Sequence, residues 1–336
     1  MPILSSRDCG FGCGWNIEYF RFIMESIDLK SYKLPIRIED NFGSALHALL
    51  GLLEFVGEHS NSIIELKYDD ALFTHPFLTA GISGINEKFS SRLLISANNF
   101  NHHHIQSYMS LVNYPDGIQI PWPYPANIDN LMLAFRDRFF LPILNFPVDD
   151  SDEADKFRQV LMSSFESLLI NQGDLKGETI VAIKYFINEM IDNMVNHSFV
   201  PTGKIFAQAF PNKRFMDICL LDSGRTLLDS YKKDERSRYP LIFSHLQAIE
   251  AAVNGKSTKD MEISRGYGIS TSRRMLTEGL RGNFFMLSGS AWFYQDFKTE
   301  ASGDFGSKVF WPGVYTAIRI PLLEISGFNH SSFLTN

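Results

Sequence analysis

The stretch Tyr185–His197, YFINEMIDNMVNH, decides how the chain is read. Glu189, Asn193 and His197 follow one another at four-residue steps. At 3.6 residues per turn, that spacing lines all three up on one stripe of a helix. Ile183, Ile187, Met190 and Met194 form a second, apolar stripe at right angles to the first. Such a helix buries one face and presents a carboxylate and an amide at the edge of a pocket. A base beside a neutral oxygen ligand suits the chemistry of a magnesium-bound nucleotide, whereas a lysine ammonium in either place would repel the metal. The same pattern also fits a core helix with a few polar residues at its boundary, because polar residues at i, i+4 are common on helices.

Around this helix the chain has the balance of an ordinary globular protein. It has 336 residues, a length that suggests about two domains. Hydrophobic residues make up 45% and charged residues 21%, so a sizeable core is expected and wholesale disorder is not. A net charge of −7 argues against broad binding to a phosphate backbone, and nucleic acid is not expected as a partner. No apolar run is long enough for a transmembrane helix. The start, MPILSSRDCGFGCGW, lacks the charged end and long apolar stretch of a signal peptide. Three cysteines, Cys9, Cys13 and Cys219, cannot build a disulfide framework, so a cytoplasmic location is expected. Cys9 and Cys13 flank two glycines and read more readily as mobile thiols than as a metal or redox pair.

The N-terminal part alternates. Ala45–Val56 reads as a buried helix, Ser62–Tyr68 as a strand, Pro76–Phe89 as a helix opened by proline, Leu93–Ser96 as a short strand and His104–Val112 as a helix. Residues 1–35 show no clear period. Alternation of this kind predicts an α/β module with partly parallel pairing. The run Ile120–Pro125, IPWPYP, breaks it, since proline fixes φ and removes a donor. Asp155–Ile170 and Glu178–Ser198 then read as two long helices. Gly203–Phe210 and Arg214–Leu221 read as strands turned by PNK, followed by helices over Pro240–Val253 and Tyr267–Glu278. Gly282–Ser288, Ala291–Tyr294 and Val314–Ile320 read as strands. This order predicts a layer of helices on one mixed sheet.

Two short motifs flank the charged segment Ser223–Ser264. Strand Arg214–Leu221 runs into Asp222-Ser223-Gly224, which is either an Asx turn or a buried acid able to accept a hydrogen bond from an amino group such as that of adenine. Further on, Arg265-Gly266-Tyr267-Gly268-Ile269-Ser270 opens a helix, where glycines let backbone N–H groups reach phosphate oxygens. It is neither the dinucleotide fingerprint nor a P-loop, because the third glycine and the GK[ST] are missing. The segment between the motifs carries Lys232, Lys233, Arg236 and Arg238. It reads as a lid suited to a triphosphate, or as a solvated loop. The run His102-His103-His104 reads as solvated loop, not as a metal site.

Taken together and in this order, Glu189…Asn193, then DSG at a strand end, then RGYG at a helix start resemble the N, G1 and G2 boxes of the GHKL ATPase superfamily (gyrase, heat-shock chaperone, histidine kinase and mismatch-repair proteins). The resemblance covers Asp155–Pro321, roughly half the chain. It implies an α/β fold: a two-layer sandwich over 151–325, joined by a linker over 122–150 to a smaller α/β module over 1–121. It also implies ATP and Mg²⁺ as cofactors. Glu189 would be the catalytic general base and Asn193 the Mg²⁺ ligand. Asp222 would read the adenine amine. Gly224, Arg265 and the backbone from Gly266 through Tyr267, Gly268, Ile269 and Ser270 would bind nucleotide. Gly313 and Pro321 match the ends of the family's final strand. Two positions depart: Thr226 replaces the second glycine of the G1 box, and Val314 stands where the threonine near adenine is usual, with Thr316 on the same strand face. The N-terminal module resembles a STAS domain over Ile63–Asn86. Its phosphorylatable serine pair is replaced here by Thr74-His75-Pro76-Phe77.

The expected function is a Mg-dependent ATPase or GHKL-type protein kinase of a bacterial regulatory or signalling system, with a protein partner docked on the N-terminal module. The alternative is a switch that holds ATP or ADP with little turnover, which Thr226 favours. Histidine autokinase activity is not expected, since Asp155–Ile170 contains no histidine. No membrane partner is expected.

Overall fold

A computed structural model describes residues 28–35, 40–68, 74–95, 100–120, 133–135, 137–234, 238–256 and 268–334. Cys9, Cys13, the IPWPYP run after Ile120 and the residues Arg265, Gly266 and Tyr267 lie outside them. The fold is mixed α/β. Among the described residues no helix is long and apolar enough to cross a membrane.

The N-terminal part is a βαβαβ unit. Strands β1 (Leu29–Lys33), β2 (Ile63–Lys67) and β3 (Leu93–Leu94) pair in parallel in that order. Helix α1 (Phe42–Glu58) joins the first two and α2 (Pro76–Phe89) the last two. Asn41 starts α1 by accepting the Ser44 N–H at 2.8 Å, and its apolar face repeats through Ala45, Leu49, Leu52 and Val56. His75 caps α2 through Nδ1, and Pro76 takes the first turn, where its missing N–H costs nothing. Helix α3 (His103–Leu111) follows.

Eight strands make the second sheet: β4 (Ile118–Gln119), β5 (Phe140–Pro147), β6 (Thr202–Phe210), β7 (Phe215–Leu221), β8 (Asn283–Gly289), β9 (Ala291–Gln295), β10 (Glu300–Asp304) and β11 (Trp311–Pro321). Their order is β10-β9-β8-β11-β7-β6-β5-β4, with β4–β5 parallel and every other pair antiparallel. One face is covered by α4 (Asp152–Gly173), α5 (Gly177–His197) and α8 (Gly268–Arg274), which runs on into a π turn at Met275–Gly279. Side chains such as Ile205, Ile218, Met286 and Ile318 fill the space beneath them.

The other face is not left to solvent, which corrects the two-layer expectation. Helices α1 and α2 cover it, so the sheet is buried on both sides over its centre. Gly81 and Gly84 let α2 come close. A Cβ at 81 would lie 2.8 Å from Leu49 and 3.3 Å from Tyr315, and one at 84 would collide with Leu221 and meet Trp311. The Phe77 and Tyr315 rings stack across the junction at 4.6 Å. A polar latch crosses it too. Arg319 on β11 grips Asp217 on β7 with two hydrogen bonds of 2.7 and 2.8 Å, and donates to Asp40, before α1, at 3.0 Å. Asp217 and Asp40 hold the guanidinium above its usual pKa against the cost of burial, and the Phe215 ring lies 3.8 Å from it. His75 sits against the same group, kept neutral by burial and by Arg319, with a pKa lowered to about 3.

The linker expected over 122–150 also needs correction. Residues Phe140–Pro147 form a strand in which all eight residues are buried. Pro142 cannot donate to the ladder, and pairing with β6 slips between Leu141 and Leu144. The freed Ile143 N–H bonds to Val112 instead, at 3.0 Å.

Candidate functional site

Helix α5 delivers the two stripes. Ile183, Ile187, Met190 and Met194 are buried in the core, while Glu189, Asn193 and His197 are half-buried along its edge. The Asn193 Nδ2 is fully buried with no hydrogen-bond partner among the described residues. Leaving such a group unmatched costs about 1–3 kcal/mol, a cost that a ligand acceptor would remove.

Strand β7 ends at Leu221 and the chain turns at Asp222-Ser223-Gly224. The Gly224 N–H donates to Asp222 Oδ1 at 2.9 Å, closing an Asx turn. Asp222 itself is only 4% exposed. Burial pushes its carboxyl up to about 7; the Gly224 and Val314 backbone pulls it back only in part, and Glu87 pushes it further up. The carboxyl is thus held by the backbone of two chain segments, Gly224 in its own turn and Val314 on β11. Gly313, at φ +79°, passes directly behind, where a Cβ would collide with the Asp222 carboxyl and carbonyl. Asp222 is therefore a buried acid with two backbone partners and lone pairs left to accept a further hydrogen bond.

The turn is docked on the end of α5. The Arg225 N–H donates to the Ser198 carbonyl at 2.9 Å, and a Cβ on Gly224 would collide with that carbonyl. On the other flank, α8 packs against α5. Gly268, Ile269 and Ser270 form its half-buried start, and Ile269 packs on the core. Thr316 is 2% exposed and paired in register with Leu220 and Met286, on the helix-covered face. Glu189, Asn193, Asp222, Gly224, Gly268, Ile269, Ser270 and Thr316 thus all belong to elements that meet around α5.

The segment between the motifs folds as two short helices, α6 (Leu227–Lys232) and α7 (His245–Val253), around Leu228, Tyr231, Ile242, Ala248 and Ala251. Thr226 caps α6, accepting the Asp229 N–H at 3.2 Å and donating to its carboxylate at 2.8 Å. Ser288 ties the segment's start to the sheet, accepting the Leu227 N–H at 3.0 Å and donating to the Gly313 carbonyl at 2.8 Å. Of the expected cations, Lys232 and Lys233 are exposed, Arg238 pairs with Asp234 at 3.1 Å, and Arg236 lies outside the described residues. A cleft of about 490 Å³ opens beside α7, lined by Tyr239, Leu241, Gln247 and Asn254 among others. Of the residues expected at the site only Arg238, already paired with Asp234, lines it, and it lacks a buried acid or base poised for chemistry, so the site is better placed around Asp222.

Sequence reading missed Ser288, Phe199 and Arg225. Ser288 carries no local signal. Phe199 stands just past the α5 end at φ +57°, 69% exposed, with the Arg225 guanidinium 3.3 Å above its ring. An apolar residue directly after a helix is common, and only the fold brings it to Arg225. No protein-family model, no curated protein and no solved structure matches the chain.

Proposed function

We propose that the chain binds ATP or ADP with Mg²⁺ in the angle between α5, the Asp222 turn and α8, and that it acts as an ATPase or protein kinase of the GHKL type in a bacterial regulatory system. The observation that carries this reading is Asp222, a buried acid at a strand end, held by the Gly224 and Val314 backbone and with lone pairs left to accept a further hydrogen bond. An amino group on a base supplies that bond. An oxo group at the same place brings no donor, so the ionised carboxylate, the form present above about pH 7, prefers adenine over guanine. Glu189 and Asn193 supply hard oxygen donors one turn apart on α5, a set that fits Mg²⁺, which takes only one or two protein oxygens. Asn193 would hold the ion, and the ion when bound offsets phosphate charge. Glu189 takes the proton of the attacking water or hydroxyl.

Thr226 favours a second reading within the same site. Buried and capping α6, it starts the segment as formed helix where a glycine hinge would move freely. That suits a switch that holds nucleotide with little turnover. In either case the N-terminal βαβαβ unit, STAS-like in its strand–loop–helix order, is the docking surface for a protein partner, because α2 presses on β7 and β11, the strands that lead to Asp222 and carry Thr316.

Melting curves with ATP or ADP, with and without Mg²⁺, test the reading. A ligand specific to the folded state raises the melting temperature by mass action. No shift at millimolar nucleotide would remove the reading altogether.

A further inference from the structure

Three features converge beside Asp222 that the nucleotide reading does not use. Phe199 is a bulky residue in the left-handed region, φ +57°, where a side chain of that size is an outlier. It is held there with its ring 69% exposed rather than turned into the core. The Arg225 guanidinium lies on that ring at 3.3 Å, and makes no hydrogen bond or ion pair with any described residue. Arg225 is three residues from Asp222, so the two α-carbons are at most about 10 Å apart. The hydrogen bond from Arg225 to Ser198 fixes the relative position of the two chain segments that carry the pair.

We propose that Arg225, backed by Phe199, is a stacking platform for the purine ring of the nucleotide whose amino group Asp222 accepts. This rests on the proposed nucleotide reading and extends it to the face of the base. A guanidinium has two flat faces, and Phe199 takes one. The other suits a flat π-system by stacking and cation–π attraction. A phosphate is the other ligand chemistry an arginine favours. Here the neighbouring group is Asp222, whose proposed partner is the amino group of the base, so the ring is the part of the nucleotide placed nearest Arg225.

The test uses the full chain and three probes: adenosine, ATP with Mg²⁺, and tripolyphosphate with Mg²⁺. Binding of each is measured by calorimetric titration for the parent and for Phe199→Leu, Phe199→Tyr and Arg225→Gln. All three changes are at exposed or half-exposed positions, and melting curves confirm that each variant folds. Phe199→Leu and Arg225→Gln should each weaken adenosine and ATP by about fivefold or more, the lower end of what one stacked base contributes. Tripolyphosphate should bind as in the parent, and Phe199→Tyr should behave as the parent throughout. A loss confined to tripolyphosphate and ATP would overturn the platform and make Arg225 a phosphate ligand. Parent-like binding of all three probes by both variants would overturn it as well, leaving the nucleotide reading intact. If the parent binds none of the probes, the nucleotide reading falls and takes the platform with it.

Discussion

Replacing Asp222 by Asn keeps the size of the side chain and removes one buried charge. The effect on stability can be worked from the site. The folded protein holds a proton on Asp222 up to about pH 7, whereas in the unfolded chain the group releases it near its ordinary value of 3.8. Between those two values the folded state binds more protons, so stability falls as pH rises through the window. At about 1.4 kcal/mol per pH unit, the full cost above pH 7 is about 4 kcal/mol. Asn carries no charge, and its oxygen can still accept the Gly224 N–H. Its amide brings new donors, whose unmade hydrogen bonds cost about 1–3 kcal/mol. The Asn variant should therefore be more stable than the parent by about 1–3 kcal/mol at pH 8, an advantage that disappears towards pH 4. Urea unfolding of both proteins at several pH values between 4 and 8 measures the difference. A difference that does not change with pH, or a variant weaker than the parent at pH 8, would refute the assignment of a buried, raised carboxyl. In binding assays the same variant should lose its preference for ATP over GTP, because an amide both donates and accepts.

Three other substitutions probe other parts of the account. Arg319→Met strips Asp217 of its bidentate partner while Asp217 stays buried, and should cost about 3–5 kcal/mol in chemical denaturation; a loss under 1 kcal/mol would mean that the latch contributes little. Gly313→Ala puts a Cβ into the Asp222 carboxyl at a φ of +79° and should cost about 1–3 kcal/mol while weakening nucleotide binding; parent-like affinity would separate Gly313 from the site. Glu189→Gln should leave ATP affinity nearly intact and lower phosphate release by about a hundredfold, whereas Asn193→Ala should weaken Mg-dependent binding itself. If both variants merely melt early, the stripe belongs to the core and not to a site.

Much of this architecture was legible because local periods matched burial. The apolar stripe of α5 and the helices α1, α2 and α4 lie close to where their 3.6-residue repeats put them. Strands β6, β7 and β11 were legible as well. What escaped had no period to show. FLPILNFP is apolar except for Asn145 because β5 is buried on both faces, and its prolines argue against a strand by any local rule. EASGD, the edge strand β10, is polar or exposed at alternate positions and reads as loop. The docking of the N-terminal unit was hidden for a different reason. Asp40, His75, Asp217 and Arg319 are far apart in sequence, and only the fold gathers them into one latch. At the site, DSG could be singled out, but not the burial that raises its carboxyl. That depends on the close approach of Gly313 and on Glu87, both distant in sequence.

Hydrogen exchange of the full chain with and without Mg-ATP tests the central claim most directly, since it reports where a ligand orders the backbone. The account predicts slower exchange in three places: the C-terminal half of α5 through Phe199, the turn Asp222–Thr226, and the start of α8 from Gly268. Exchange unchanged throughout by saturating Mg-ATP, or slowed only around the α7 cleft, would contradict it.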